Sequence, residues 1–242
     1  MNLVQSDTEI RIDNWNSTVL LQVTMDLTTG VNRHTFYIVM NRHGYLPFVF
    51  FSPSFASIDL GSLLKSGIEF RCGDVTLLWD RPIGVLYDVY AEVGKPLSVS
   101  VCSYSKKHSL PYHHLGECEE RFVHCLKEAI LVEFGSLQLW DEMPVESQSK
   151  LFKSVQTDNY RLYDECMACF KEEEMKEVLV KIVSTEGCEM KRIGVEEAKK
   201  LTILDLTKKE NARVRALSLN DRSVWYCWSL FCSPDRTLYV TV

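Results

Sequence analysis

The chain has 242 residues, 46% hydrophobic and 25% charged, with a formal net charge of -6 at pH 7. This is ordinary globular composition, enough for one large domain or two small ones, and the acidic balance argues against nonspecific nucleic-acid binding as the main task. No basic segment followed by an apolar run opens the sequence, and no apolar stretch approaches the ~20 residues of a bilayer span, so the chain reads as soluble and not secreted.

Thr18 to Asp26 reads as a strand, turn residues follow, and Thr35 to Met40 reads as its hairpin partner. A short helix is expected within Phe55 to Lys65. Ile68 to Cys72 and Val75 to Trp79 read as two further strands around the turn Gly73-Asp74. Pro82 sets the start of a helix over Ile83 to Tyr90, which Gly94-Lys95-Pro96 ends, and Leu97 to Cys102 alternates as a half-buried strand. Lys106 to Gly116 has no apolar period and reads as a linker.

Glu117 to Phe134 predicts one amphipathic helix. At ~100° per residue Cys118, Phe122, Cys125, Leu126, Ala129 and Ile130 share a face, and Lys127 lies nearly opposite. One turn to either side of the lysine stand Val123 and Leu131, so an amine sits between two apolar residues on a ridge that should be polar. A break at Pro144 precedes a second helix over about Ser147 to Phe170, and Lys171 to Lys176 reads as a charged, solvated bridge. The remainder repeats the opening in compressed form. Glu177 to Ser184 pairs with Cys188 to Ile193, a helix covers Val195 to Leu206, Ala212 to Leu217 is a third strand, Val224 to Phe231 an apolar helix, and Leu238 to Val242 the last strand. Two such modules fit the β-grasp, or ubiquitin-like, roll. The fold expectation is therefore α+β, with two ubiquitin-like β-grasp modules over 1–105 and 173–242 joined by a helix-rich middle region over 106–172.

Several motifs could carry chemistry. Nine cysteines without regular spacing read as reduced cytosolic thiols. Cys166-Met167-Ala168-Cys169 is a CxxC, yet it ends a helix rather than following a strand. His113, His114, Cys118, His124 and Cys125 are zinc-ligand types in no standard spacing. They leave open a thiol-dependent or zinc-binding enzyme using the His113 to Cys125 region. No glycine-rich phosphate loop is present, and Trp225, Tyr226 and Trp228 read as core or groove aromatics.

Three stretches carry a family resemblance: Leu77 to Asp88 (LLWDRPIGVLYD), Phe122 to Ala129 (FVHCLKEA) and Leu151 to Tyr163 (LFKSVQTDNYRLY), in order and at similar separations. They resemble the autophagy protein 5 family. The resemblance implies two ubiquitin-like domains flanking helices and no catalytic residues, cofactor or metal. It implies that Lys127 accepts the C-terminal glycine of the ubiquitin-like autophagy protein 12 as an isopeptide, with Val123 and Leu131 as partner surface. In some lineages that pairing is noncovalent. It further implies a helix of autophagy protein 16 in a groove, and an E3-like complex serving the conjugating enzyme that lipidates autophagy protein 8. Cytoplasmic location with peripheral association at the preautophagosomal membrane follows from the same resemblance. Basic pairs such as Lys106-Lys107, Lys191-Arg192, Lys199-Lys200 and Lys208-Lys209 are candidate membrane contacts.

Overall fold

The computed structural model describes residues 5–26, 34–56, 61–104 and 111–242. Two compact units result, one from residues 18–121 and the other from the N-terminal segment with residues 122–242.

The chain begins with α1 (Asp7–Trp15), a helix absent from the expectation above. A reciprocal cap starts it: Ser6 Oγ accepts from Glu9 N, and Glu9 Oε2 accepts from Ser6 N at 2.8 Å. This helix belongs to the second unit.

The first unit is a five-stranded sheet built from β1 (Thr18–Asp26), β2 (His34–Asn41), β3 (Ile68–Cys72), β4 (Val75–Leu77) and β5 (Leu97–Ser103). Strand order is β2-β1-β5-β3-β4, with β1 parallel to β5 and the other pairs antiparallel. That is the β-grasp order, and the alternation explains it. Val19, Leu21, Val23 and Met25 of β1 and Leu97, Val99 and Val101 of β5 all point inward and are buried. Against them packs α3 (Ile83–Tyr90), whose Ile83 and Leu86 are also buried. The predicted helix over 55–65 is only partly realised. Two short 3-10 turns, Leu46–Phe51 and Pro53–Phe55, precede α2 (Gly61–Ser66), while 57–60 lie outside the described residues. The linker of 106–116 is in part anchored, since Tyr112 is buried and exchanges both backbone hydrogen bonds with Ile68.

Next comes α4 (Leu115–Phe134), the longest helix described, followed by α5 (Gln138–Asp141), α6 (Val145–Gln156) and α7 (Tyr160–Met167). The single helix expected over 147–170 is thus two. Asp158 takes a left-handed φ of 54°, and Asn159 caps the new helix by accepting from Leu162 N at 3.0 Å.

A three-stranded sheet completes the second unit: β6 (Glu177–Val183), β7 (Cys188–Gly194) and β8 (Leu238–Thr241), ordered β7-β6-β8 with β6 and β8 parallel. The expected helix over 195–206 divides into α8 (Val195–Ala198) and α9 (Ile203–Thr207), because Thr202 and Asp205 form a fresh capping box. The strand expected over 212–217 is replaced by two isolated bridges. Arg215 and Ala216 both take positive φ, so the chain turns there and Val214 pairs with Leu217 instead of extending. The apolar helix α10 (Val224–Phe231) buries Val224, Cys227, Trp228 and Leu230. On it rests α1, through Arg11 Nε to Ser229 O at 2.9 Å and Asn14 Nδ2 to Leu230 O at 2.9 Å, while Trp15 packs on Tyr160 and Tyr163.

Candidate functional site

The residues that share the apolar face of α4 in sequence share the interior in space. Cys118, Phe122, Cys125, Leu126, Ala129 and Ile130 are all buried. Ala129 and Val132 pack with Leu179 of β6, and Phe122 lies 5.8 Å from Phe152 of α6, ring centre to ring centre. The helix is held by charge as well. Glu128 accepts from Lys181 Nζ at 2.9 Å, and the fully buried Glu133 accepts from Arg236 Nε at 2.5 Å. Burial pushes the Glu133 carboxyl up to about 7, against the pull of Arg236.

On the other side stand Val123, Lys127 and Leu131. Val123 and Lys127 are half-buried and Leu131 is exposed. The partial cover on Lys127 has a definite source. Gly135, at φ 76°, ends α4 and sends the chain back, so that α5 brings the indole of Trp140 beneath the lysine. Lys127 Nζ lies 5.1 Å from the ring centre. Trp140 itself is buried, and its backbone carbonyl accepts from Gln148 Nε2 at 3.1 Å and Met143 N at 3.1 Å. Nothing in the local pattern of residues 135–144 marks this tryptophan. It is found only once the chain reversal at Gly135 is known.

The rival chemistry fares differently. His113 Nδ1 lies 3.0 Å from Leu64 O and its backbone N donates to Glu117, so this histidine organises the start of α4. His114 Nε2 stands 3.9 Å from Glu117 Oε1, and His124 is exposed. Cys118 is fully buried, and burial drives its thiol far above its usual range, which is the reverse of an activated nucleophile. Seven residues further along the helix, Cys125 is ~10 Å away by axial rise. Among the described residues no three His, Cys, Asp or Glu side chains gather in a metal-binding arrangement. The CxxC thiols of Cys166 and Cys169 are likewise raised, mainly by burial. Trp225 and Trp228 stack on each other at 5.5 Å, and the buried Trp228 donates Nε1 to Arg236 O from the core, while Trp225 is half-buried and Tyr226 exposed.

A cavity of about 280 Å³ lies between α1, α7 and α10 in the second unit. Its arginines are engaged: Arg11 with Glu172, Arg236 with Glu133, and Arg215 with the carbonyls of Asn14 and Phe231. Of the basic pairs, Lys106-Lys107 lie outside the described residues, while Lys191, Arg192 and Lys199 face Glu189, Glu177 and Glu196. Among the described residues no helix is long and apolar enough to cross a membrane.

Two sequence models match the chain: the UblA domain of autophagy protein ATG5 over residues 14–113, and the alpha-helical bundle region of the same protein over residues 116–171. The chain belongs to the autophagy protein 5 family. As a family member it has a role in autophagy, and its fold is α+β with two ubiquitin-like modules and a helical region between them. The crystal structure of Kluyveromyces marxianus Atg5 is similar, with a TM-score of 0.82, 18% sequence identity, and coverage of 97% of this chain and 99% of that one. At that identity the likeness speaks to fold alone. No curated protein sequence is similar enough to count as a match. Residues 172–242 fall outside both sequence models, so their ubiquitin-like character rests on the β7-β6-β8 sheet and the structural likeness.

Proposed function

We propose that this autophagy protein 5 family member is a non-catalytic scaffold of the autophagy conjugation machinery, joined through Lys127 to the ubiquitin-like autophagy protein 12. With autophagy protein 16, bound as a helix in a groove, the conjugate acts as an E3-like complex. It promotes transfer of autophagy protein 8 from its conjugating enzyme to phosphatidylethanolamine. The chain works from the cytoplasm, peripherally at the preautophagosomal membrane.

The observation that carries this reading is the placement of Lys127 on the face of α4 away from the packed stripe, between half-buried Val123 and exposed Leu131. An acceptor needs little more. The activated thioester is held on a conjugating enzyme, so the acceptor chain supplies a presented amine and an apolar surface on which the partner can settle. The family is scaffold-like in character, which agrees with a site built for presentation. The raised thiols of Cys118 and Cys227 fit the same picture.

The test is a denaturing, reducing immunoblot of the protein from its native cells, wild type beside Lys127→Arg. Arginine keeps the charge and offers no usable amine. A heavier band in wild type that vanishes in the variant supports the reading. A band unchanged by the substitution assigns the linkage to another residue. Absence of the band in both, with no partner recovered by pull-down, removes the reading.

A further inference from the structure

Taking Lys127 as the acceptor, we infer that Trp140 is the positioning residue for its amine, holding it over the indole face so that it meets the incoming thioester from one direction. The inference rests on the acceptor reading above and deepens it. Lysine ends in a flexible stem of four methylenes, and an amine sweeping through solvent spends little time at any one attack position. Here Nζ lies over an indole, 5.1 Å from the ring centre. The ring is fixed in turn. Trp140 is only 3% exposed, α5 carries it, and Gln148 and Met143 tie its carbonyl down. The platform is therefore part of the core, with Lys127 Nζ over one face of its ring. Leu131, 49% exposed, flanks the amine on the same ridge.

Chemically the ring acts on the resting, charged side chain. An indole face attracts an ammonium, so the stem is already laid down before the partner docks. In the transfer itself the nitrogen sheds a proton to solvent and attacks the carbonyl carbon of the thioester. The C–N bond forms, the C–S bond breaks, and the sulfur leaves as a thiolate on the conjugating enzyme. Once neutral the amine no longer gains from the ring, so the contact does not resist the reaction. What it contributes is the starting position. A cation held by an aromatic face at a partly exposed site corresponds to a population bias of about two- to fivefold, and that sets the expected effect.

The experiment uses the full-length chain in two assays. One is transfer of the ubiquitin-like partner from its thioester-charged conjugating enzyme, with rate followed against enzyme concentration. The other is acetylation by a small N-hydroxysuccinimide ester, mapped lysine by lysine, which needs no partner. Trp140→Leu should transfer about two- to fivefold more slowly at saturation with the concentration dependence unchanged, while Lys127 alone acetylates faster because its amine is no longer held. Trp140→Tyr and Trp140→Phe keep an aromatic anchor in the core, and should grade between the two in the order tryptophan, tyrosine, phenylalanine. That series carries the test if the leucine variant unfolds. A Trp140→Phe variant of normal melting temperature that transfers and acetylates as wild type overturns the positioning role while leaving Lys127 as acceptor. If wild type accepts no partner at all, both readings fall, whatever the acetylation pattern.

Discussion

Glu133 and Arg236, 103 residues apart in sequence, meet inside the second unit with Nε 2.5 Å from Oε2, the first side chain fully buried and the second nearly so. Arg236 also lies over the rings of Phe170 and Trp228, at 5.7 and 5.2 Å. One guanidinium thus joins the end of α4, the segment after α7, α10 and the turn before β8. Removing one member of such a pair leaves a buried charge without its partner. Arg236→Met should cost about 3–5 kcal/mol at neutral pH, read by denaturant unfolding, and less as the pH falls and Glu133 takes up a proton.

The same carboxyl sets a pH dependence. Its pKa rises on folding from 4.5 to about 7, because burial outweighs Arg236. A group with a raised folded-state pKa contributes its stability fully below the unfolded value and loses it as pH climbs through the folded one. Glu133 should therefore make the protein progressively less stable between pH 4.5 and 7. Glu133→Gln should flatten that part of the profile, measured as unfolding free energy across the window. The buried Asp235, raised mainly by burial, acts in the same direction and remains in the variant. An unchanged slope would show that Glu133 does not exchange its proton on unfolding.

Neighbouring residues on α4 should respond to very different extents. Leu126 is fully buried, and Leu126→Ala should cost about 2–5 kcal/mol. Lys127→Arg should change stability by less than about 1 kcal/mol. Thermal unfolding of the two variants checks this, and it also secures the immunoblot comparison against a trivial loss of fold.

At Gly84 the backbone passes too close to Arg42 for a side chain. A Cβ there would stand 2.8 Å from Arg42 Cβ and 2.9 Å from its carbonyl oxygen, while Gly84 N donates to that oxygen at 2.7 Å. Gly84→Ala should destabilise the first unit by about 1–3 kcal/mol. Gly73, at φ 57° with open space around it, should cost only about 1 kcal/mol on conversion to alanine. Paired hydrogen-exchange measurements on the five-stranded sheet would separate the two.

Thiol labelling addresses the enzyme alternative directly. Cys169 and Cys188 are exposed and should react first in the native protein. Cys118 and Cys227 are buried, with Cys227 pushed up to about 12, and should wait for unfolding. Rapid native alkylation of Cys118 would return the thiol-dependent reading to consideration.

What sequence could reveal here was governed by period. Alternation in β1 and β5, the 3.6-residue stripes of α3 and α4, and the short apolar run of α10 are local properties, and those elements appear where the pattern puts them. α1 was hidden because Ile10, Ile12 and Trp15 make a poor stripe, although the Ser6 and Glu9 capping pair was there to be read. Left-handed residues defeated two further expectations, Asp158 breaking one helix and Arg215 with Ala216 replacing a strand by a turn. Asp158 beside Asn159 did carry a break signal, since Asp tolerates the left-handed region and Asn caps helices, whereas Arg215 and Ala216 have no such signature. Lys127 could be picked out by its apolar neighbours. Its platform could not, since Trp140 reaches it only through a chain reversal, and the partnership of Glu133 with Arg236 depends wholly on tertiary closure.

The first helix has an awkward place in time. Residues 7–15 leave the ribosome well before the groups that receive Arg11, Asn14 and Trp15, which sit at Tyr160, Tyr163, Ser229 and Leu230. The sheet of residues 18–121 has all its strands long before that and can close during translation. Helix α1 cannot complete its docking until residues 229 and 230 have emerged. A nascent chain stalled or cut short of Ser229 would therefore carry a finished sheet and an undocked leader, a species that a chaperone or protease can tell from the completed protein.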